Sequence, residues 1–415
     1  MIAGRAMVFD RAKQSVNSNF RFSDRNKERT GNMIKDETAL NVMVNTVRSF
    51  VKERLIPIEE EVAESDHIPD DITSAMREMG LFGISIPEEY GGLGLTLEEE
   101  VTVVMELCKA SPCFRSVIGT SVGIGGMSIV FDGTEEQKKK YLPVIASGEM
   151  PVCFCLTEPD AGSDAGAVKT SAVKDGSFYI LNGTKRFITN APEAGIFVVY
   201  ARTNQDIKGA AGVSAFIVEK GTPGLVLGKN EKKMGQGGAH ISDVIFEDCR
   251  VPVSALLGGK TEKGFVTAMK VLDKGRTHVS AICVGSMERI IEEAVRYAID
   301  RKQFGKSISE FQLVQALLAD SKMEAYAARC MVLETARKYD RKEPISTEAS
   351  CTKLFASEAA SRVADRGVQI LGGSGYIRDY PCERFYRDVR VYRLYEGTSQ
   401  IQQIVIARNM LKALK

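Results

Sequence analysis

At 415 residues, with 26% charged residues and a formal net charge of +1, the chain can bury a large core and lacks the basic excess of a nucleic-acid binder. Its nine cysteines fall without zinc-ligand spacing and its three histidines, His67, His240 and His278, form no H-x-x-x-H pair, so no metal site is expected. An odd cysteine count without a signal peptide points to reduced thiols inside a cell, and no apolar run reads as long enough for a membrane span.

Residues 1–36 are polar and rich in Arg, Asn and Ser, which predicts a flexible or surface-packed extension. Asp10, Asp24 and Glu28 argue against a transit peptide, so a bacterial cytoplasm is expected rather than a mitochondrial matrix. From Asp36 the period is helical: Leu40, Met43, Val47, Phe50 and Leu55 make an apolar stripe. Further helical stretches near 70–80, 96–110, 115–131 and 134–147 complete a helical domain over 37–150. Near Pro151 the pattern changes, and Val152–Leu156 reads as a strand. Phe178–Leu181, Asn182-Gly183 and Arg186–Thr189 predict a β-hairpin, because Asn-Gly is a favoured tight-turn pair. Ile196–Ala201, Val213–Val218 and Val244–Phe246 add strands to a central β domain over 151–255. After Gly264-Phe265 the helical period returns, with Ile290, Ala294, Tyr297 and Ala298 on one face and Leu313, Leu317, Met323 and Ala327 on another. Residues 256–415 are therefore expected to form a helical bundle, and the α, then β, then α order predicts a multi-domain α+β protein.

The glycine-rich motifs do not read as nucleotide loops. Gly305-Lys306-Ser307 ends like a P-loop, but Asp300 stands where the leading glycine belongs. The glycines at 123–126 and 372–375 do not fit a fingerprint after a strand, so any dinucleotide lies outside a Rossmann crevice. More informative is Leu394-Tyr395-Glu396-Gly397-Thr398-Ser399-Gln400, where Thr398 or Ser399 is a natural N-cap for the helix that follows. Glu396 then sits just before a helix start, beside unpaired backbone N–H groups. A carboxylate next to donors that can hold an oxyanion suits removal of a proton alpha to a carbonyl.

From about residue 37 to 415 the chain resembles the acyl-CoA dehydrogenase family of flavoproteins. Six motifs in order carry the likeness: Gly133–Gln137 with Lys140–Pro143, Leu156–Pro159 with Gly162–Asp164, Phe187–Asn190, Arg301–Gly305, Gln369–Gly373 and Tyr395–Gln400. The resemblance implies a helical N-terminal domain, a central β-barrel domain and a C-terminal four-helix bundle, with FAD between the last two, in a homotetramer built from dimers. It implies that Phe154, Leu156, Thr157, Ser163, Phe187, Ile188, Thr189, Thr398 and Gln400 meet the cofactor. Phe187 would lie on the isoalloxazine ring and Thr189 near N5. Arg301 would meet the pyrophosphate of a neighbour's FAD, with Phe304, Gln312, Gln369, Gly372 and Gly373 around its adenosine half. Ser163, Asp273, Arg276 and Gly397 would hold the acyl-CoA, while Glu396 takes the α-proton and the β-hydride passes to flavin N5. The carbonyl would be held by the Glu396 N–H and a ribityl hydroxyl. The product would be a trans-2-enoyl-CoA from a short to medium acyl chain, with an electron-transfer flavoprotein as the next acceptor.

Some relatives carry the base one residue before the Arg of the Asp273–Arg276 segment; that position is Gly275 in this chain. The family's Met-Gly-x-Arg turn appears without its Arg, as Met234–His240. Phe114-Arg115-Ser116 resembles a segment of glutaryl-CoA dehydrogenases whose Arg receives a distal carboxylate, so a dicarboxylyl-CoA substrate bound by Arg115 is an alternative. An oxidase and a catalytically silent scaffold are the remaining readings.

Overall fold

Four helices of the N-terminal region start on side-chain caps, and the computed structural model describes them within residues 33–414, Lys208 excepted. The expected polar extension thus lies, up to residue 32, outside the described residues. Asp36 accepts from the Thr38 and Ala39 N–H groups to open α1 (Glu37–Phe50), which buries Leu40, Val47 and Phe50. α2 (Glu59–Ser65) and α3 (Asp70–Glu78) follow. Reciprocal capping boxes, Thr96 with Glu99 and Thr134 with Gln137, start α4 (Leu97–Leu107) and α7 (Glu135–Ala146). Between them lie α5 (Pro112–Val122) and α6 (Ile124–Asp132). Pro112–Asp132 is long and apolar enough to cross a membrane, which corrects the reading that no run reaches that length. It breaks at Gly123 and is mostly buried, as a core helix pair would be.

The central region is a curled sheet of seven strands: β1 (Val152–Cys155), β2 (Ser171–Asp175), β3 (Phe178–Thr189), β4 (Ile196–Arg202), β5 (Val213–Glu219), β6 (Leu225–Leu227) and β7 (Ile241–Pro252). Their order is β1-β4-β2-β3-β7-β6, with β5 paired to β4. The Asn182-Gly183 pair is not a turn, contrary to the sequence pattern. It lies inside β3, where a register shift against β7 falls between Leu181 and Gly183. Gly183 has φ +146°, and a Cβ there would lie 2.5 Å from Thr170 Oγ1, so the glycine serves a bulge under close packing. The true hairpin joins β2 to β3 through Gly176, whose φ is +58°.

The C-terminal region comprises α8 (Gly264–Asp300), α9 (Gln312–Asp340), α10 (Ser346–Leu371), α11 (Pro381–Val389) and α12 (Ser399–Ala413). One hydrophobic core runs through both helical regions, joining Val103, Val104 and Phe114 to Val279, Ile282 and Met287. The predicted inner face of α8 is buried at Ile290, Ala294 and Ala298. That of α9 is split: Leu313 and Met323 are exposed, Leu317 and Ala327 are partly buried with Leu317 packed on the core, and the fully buried positions include Ser321, Glu324, Ala325, Ala328 and Val332. Facing them, α10 buries Ala349, Ala356, Ala359 and Ala360. Small side chains let the helices approach closely, so the larger apolar residues Val314, Leu317, Leu318 and Leu333 of α9 pack at the margin of the core.

Candidate active site

The turn between α11 and α12 presents Glu396. Thr398 caps α12 by accepting from the Ile401 N–H at 3.2 Å, which fixes where the chain stops turning and the helix begins. Glu396 and Gly397 both have positive φ, +51° and +94°. The conformation is costly for a glutamate and is held by surrounding donors. Gln402 Nε2 donates to the Glu396 and Gly397 carbonyls at 3.0 and 3.1 Å, and Lys353 Nζ donates to the Gly397 carbonyl at 2.5 Å. A Cβ on Gly397 would come within 2.5 Å of Gln402 Nε2, so glycine is required here by space as well as by φ.

Glu396 Oε2 is buried without a hydrogen-bond partner among the described residues. It lies over Gly275 of α8, where a Cβ would collide with it. Burial raises the carboxyl pKa above its usual value, while the charges of Arg115, Lys353 and Arg276 pull it back. A carboxylate so placed is a proton acceptor of raised basicity. The Glu396 N–H likewise makes no backbone hydrogen bond among the described residues.

Behind Glu396 lies a buried polar chain. Arg115 Nη2 meets His278 Nδ1 at 3.0 Å, and His278 Nε2 meets Glu100 Oε2 at 2.7 Å. Lys274 Nζ donates to Glu100 Oε1 at 2.8 Å, and Ser85 Oγ donates to Oε2. Arginine is only a donor, so His278 accepts at Nδ1 and donates from Nε2, which is its neutral form. Burial, with Arg115 and Lys274 nearby, keeps the His278 pKa low against the pull of Glu100. Burial works to raise the Glu100 carboxyl, but Lys274 and His278 more than offset it, and it stays ionised. Arg115 itself is buried, and its Nε has no partner among the described residues.

A second cluster lies on the sheet. The Arg186 N–H donates to the Thr157 carbonyl at 2.8 Å, which brings the Leu156–Thr157 turn against Phe187. Lys185, fully buried, donates to the Leu156 carbonyl at 3.1 Å and to Glu158 Oε1 at 2.7 Å. Phe187 sits at a bulge with φ +58°, and its ring is 53% exposed with the Arg186 guanidinium over it. Ile188 is buried and Thr189 half-buried at the end of β3. Phe154 packs against Tyr200 with ring centroids 4.8 Å apart, and Ser163 is exposed. Asn190 ties this strand end to α5, donating to the Ser116 carbonyl at 2.7 Å.

Of the remaining residues, Arg276 belongs with Glu396 and the others join neither cluster. Arg301, Phe304, Gln312, Gln369, Gly372, Gly373 and Gln400 are all exposed, Phe304 to 94%. The Tyr297 hydroxyl bonds Ser374 Oγ at 3.1 Å, which ties the Arg301 end of α8 to the turn after α10. Asp273 and Arg276 pair with each other at 2.7 Å on α8, the Arg buried beside Gly275. The turn lacking its expected Arg is held instead by Gln236, which accepts from Ser116 Oγ at 3.1 Å and bonds Asp388 through its main-chain N–H.

Acyl-CoA dehydrogenase N-terminal, middle and C-terminal domain models match residues 38–149, 153–249 and 262–411. The chain belongs to the acyl-CoA dehydrogenase family. It is similar to the 3-(aryl)acrylate reductase of Clostridium sporogenes, 44% identical over 88% of this chain and 96% of that protein. It also resembles the caffeyl-CoA reductase-Etf complex subunit CarC of Acetobacterium woodii, 43% identical over 87% and 95% of the two chains. Among solved structures, butyryl-CoA dehydrogenase of Megasphaera elsdenii superposes with a TM-score of 0.87 at 34% identity, covering 95% of this chain and all of that one. Acyl-CoA dehydrogenases are FAD-dependent oxidoreductases acting on acyl-CoA, and this chain is one of them. The sheet cluster fits a flavin: a ring half in solvent at Phe187 flanked by the half-buried Thr157 and Thr189 suits a flat heteroaromatic ligand with polar edges.

Sequence reasoning missed Lys353, Gln402, His278, Glu100 and Lys274. The spacing of Lys274 and His278 put them on one helix face, and Gln402 lay inside the terminal helix; that they are buried shows only in three dimensions.

Proposed function

We propose that this chain converts an acyl-CoA thioester of short to medium chain length into its trans-2-enoyl-CoA, with Glu396 as the base for the α-proton. The observation that carries this reading is the Glu396 carboxylate, whose Oε2 is buried without a partner among the described residues and is held by a strained turn over Gly275. Bound FAD supplies the acceptor for the β-hydride. Glu396 would take the α-proton while its own N–H donates to the thioester carbonyl, stabilising the enolate-like charge. Substrate binding would exclude water and make the carboxylate more basic still. Phe154, Leu156, Thr157, Phe187, Ile188 and Thr189 would seat the flavin, with Thr398 beside the base. Asp273, Arg276, Ser163 and Gly397 would hold the substrate. Arg301, Phe304, Gln312, Gln369, Gly372, Gly373 and Gln400 would complete a neighbouring copy's cofactor site in a homotetramer. An electron-transfer flavoprotein is the proposed redox partner, a reading supported by the Etf complex in the name of one relative. Both relatives named above are reductases, and in that direction Glu396 would deliver the proton it otherwise removes.

A second substrate reading rests on Arg115, whose buried Nε lacks an acceptor that a substrate carboxylate could supply. Anaerobic flavin bleaching by a panel from butyryl- to octanoyl-CoA, with glutaryl- and adipyl-CoA, separates the readings. Bleaching by dicarboxylyl esters alone selects the second, and bleaching by monocarboxylyl esters selects the first. Glu396→Gln is expected to slow bleaching by about 10²–10⁴-fold. An unchanged rate would remove Glu396 from the chemistry, and no bleaching of the wild type by any ester would leave a substrate outside this panel or the scaffold reading.

A further inference from the structure

Lys353 is the other charged group built into the turn. It projects from the first third of α10, is fully buried, and makes its hydrogen bond to the Gly397 carbonyl, one residue from Glu396. A lysine almost never enters an interior without a strong reason, because desolvating its ammonium costs several kcal/mol. Nor does it answer a carboxylate here, since Glu396 Oε2 has no hydrogen-bond partner and Lys353 reaches a main-chain oxygen. Gln402 supplies the remaining donor, so two side chains from two helices grip both carbonyls of the left-handed pair.

Resting on the reading of Glu396 as base, we propose that Lys353 is a positioning residue, whose buried ammonium holds the Glu396–Gly397 turn in register and places a positive charge one residue from the Glu396 carboxyl. The surrounding charges bear on both functions. Cys283 and Arg276 face Lys353 from α8, Glu358 from its own helix and Glu396 from the turn; burial lowers the Lys353 pKa to about 8, with Arg276 lowering it too and the acids raising it. Glu396 is faced by Arg115 from α5, Arg276 from α8 and Lys353 from α10. Of these three cations Lys353 alone grips the turn's backbone, so it links geometry to charge.

The test is the pH profile of flavin bleaching in the FAD-loaded enzyme. Dehydrogenation should fall on the acid side as Glu396 takes up a proton. Lys353→Met should move that limb upward by about one pH unit, since a neighbouring cation is lost. It should also lower the plateau kcat at least about tenfold, with KM changed by less than about threefold. Gln402→Leu, which removes a donor and no charge, should lower the plateau and leave the limb in place. Should Lys353→Met not fold, Lys353→Gln keeps a donor, removes the charge and carries the same prediction for the limb. A folded, FAD-loaded Lys353 variant with an unmoved limb and a plateau within about twofold of wild type overturns the proposal. Glu396→Gln run alongside separates the failures: if it too retains activity, the base assignment is wrong, and if it alone is dead, only the role of Lys353 is wrong.

Discussion

The two ends of the C-terminal bundle are built on opposite plans. Around Glu396 the side chains packed on the turn are buried and most are locked: Lys353 and Gln402 on the turn, Gly275 beneath the carboxylate, and Arg115, His278, Glu100 and Lys274 in a hydrogen-bonded chain behind it. At the far end, Arg301, Phe304, Gln312, Gln369 and the Gly372-Gly373 turn stand in the open, with Phe304 meeting little beyond the edge of Phe311. Preorganisation therefore belongs to the single chain at the base. At the open end the same kinds of side chain stand without an enclosed site.

Substitutions should separate these plans sharply. The largest effect, after loss of the base itself, is expected from Gly275→Ala. The new methyl occupies the space of Glu396 Oε2, so the carboxylate must swing aside, and misplacement of this order costs about 10²-fold in rate. Thermal unfolding should move little while single-turnover bleaching slows; equal bleaching rates would mean the carboxylate has room to spare.

Next is the buried chain behind the base. The folded-state pKa of His278 is depressed below its usual 6.5, so below that pH the unfolded chain binds a proton that the folded one refuses. Stability should thus fall as pH drops from 6.5 toward the folded value, with a slope of up to about 1.4 kcal/mol per pH unit from this residue. Glu100, depressed below its usual 4.5, contributes stability above that pH and loses it only at still lower pH. Urea unfolding between pH 5 and 7 should show the slope in wild type, and His278→Gln should flatten it. A slope that survives the substitution would assign acid sensitivity elsewhere.

The smallest effect on folding is expected at the open end. Arg301→Ala and Phe304→Ser should each change unfolding free energy by less than about 0.5 kcal/mol, as surface changes do. FAD affinity, measured by titration of the apoprotein, should fall about tenfold or more for Arg301→Ala, the scale of a charged hydrogen bond. A large stability loss with unchanged FAD binding would reverse the contrast between the two ends.

How legible these features were follows from the same physics. The Thr398 cap, the capping boxes and the α8 stripe depend on neighbours a few residues apart, and the sequence shows such spacing directly. The Asn182-Gly183 pair misled because its conformation is set by Thr170 pressing on the strand from another segment. The apolar stripe of α9 misled because periodicity marks a face without saying whether this chain covers it. Glu396 was legible as a residue beside a helix start, but its missing partner was not, and neither was the grip of Lys353 from 43 positions earlier in the chain.

The contact between Gly275 and Glu396 also constrains how such a protein can change through descent. Two positions far apart in sequence open onto one small space, so a carboxylate on α8 and one on the turn compete for the same volume. A lineage that moved its base from 396 to 275 would have to vacate the turn first and cross an inactive ancestor, or make both changes together. The order of mutation is written into the packing.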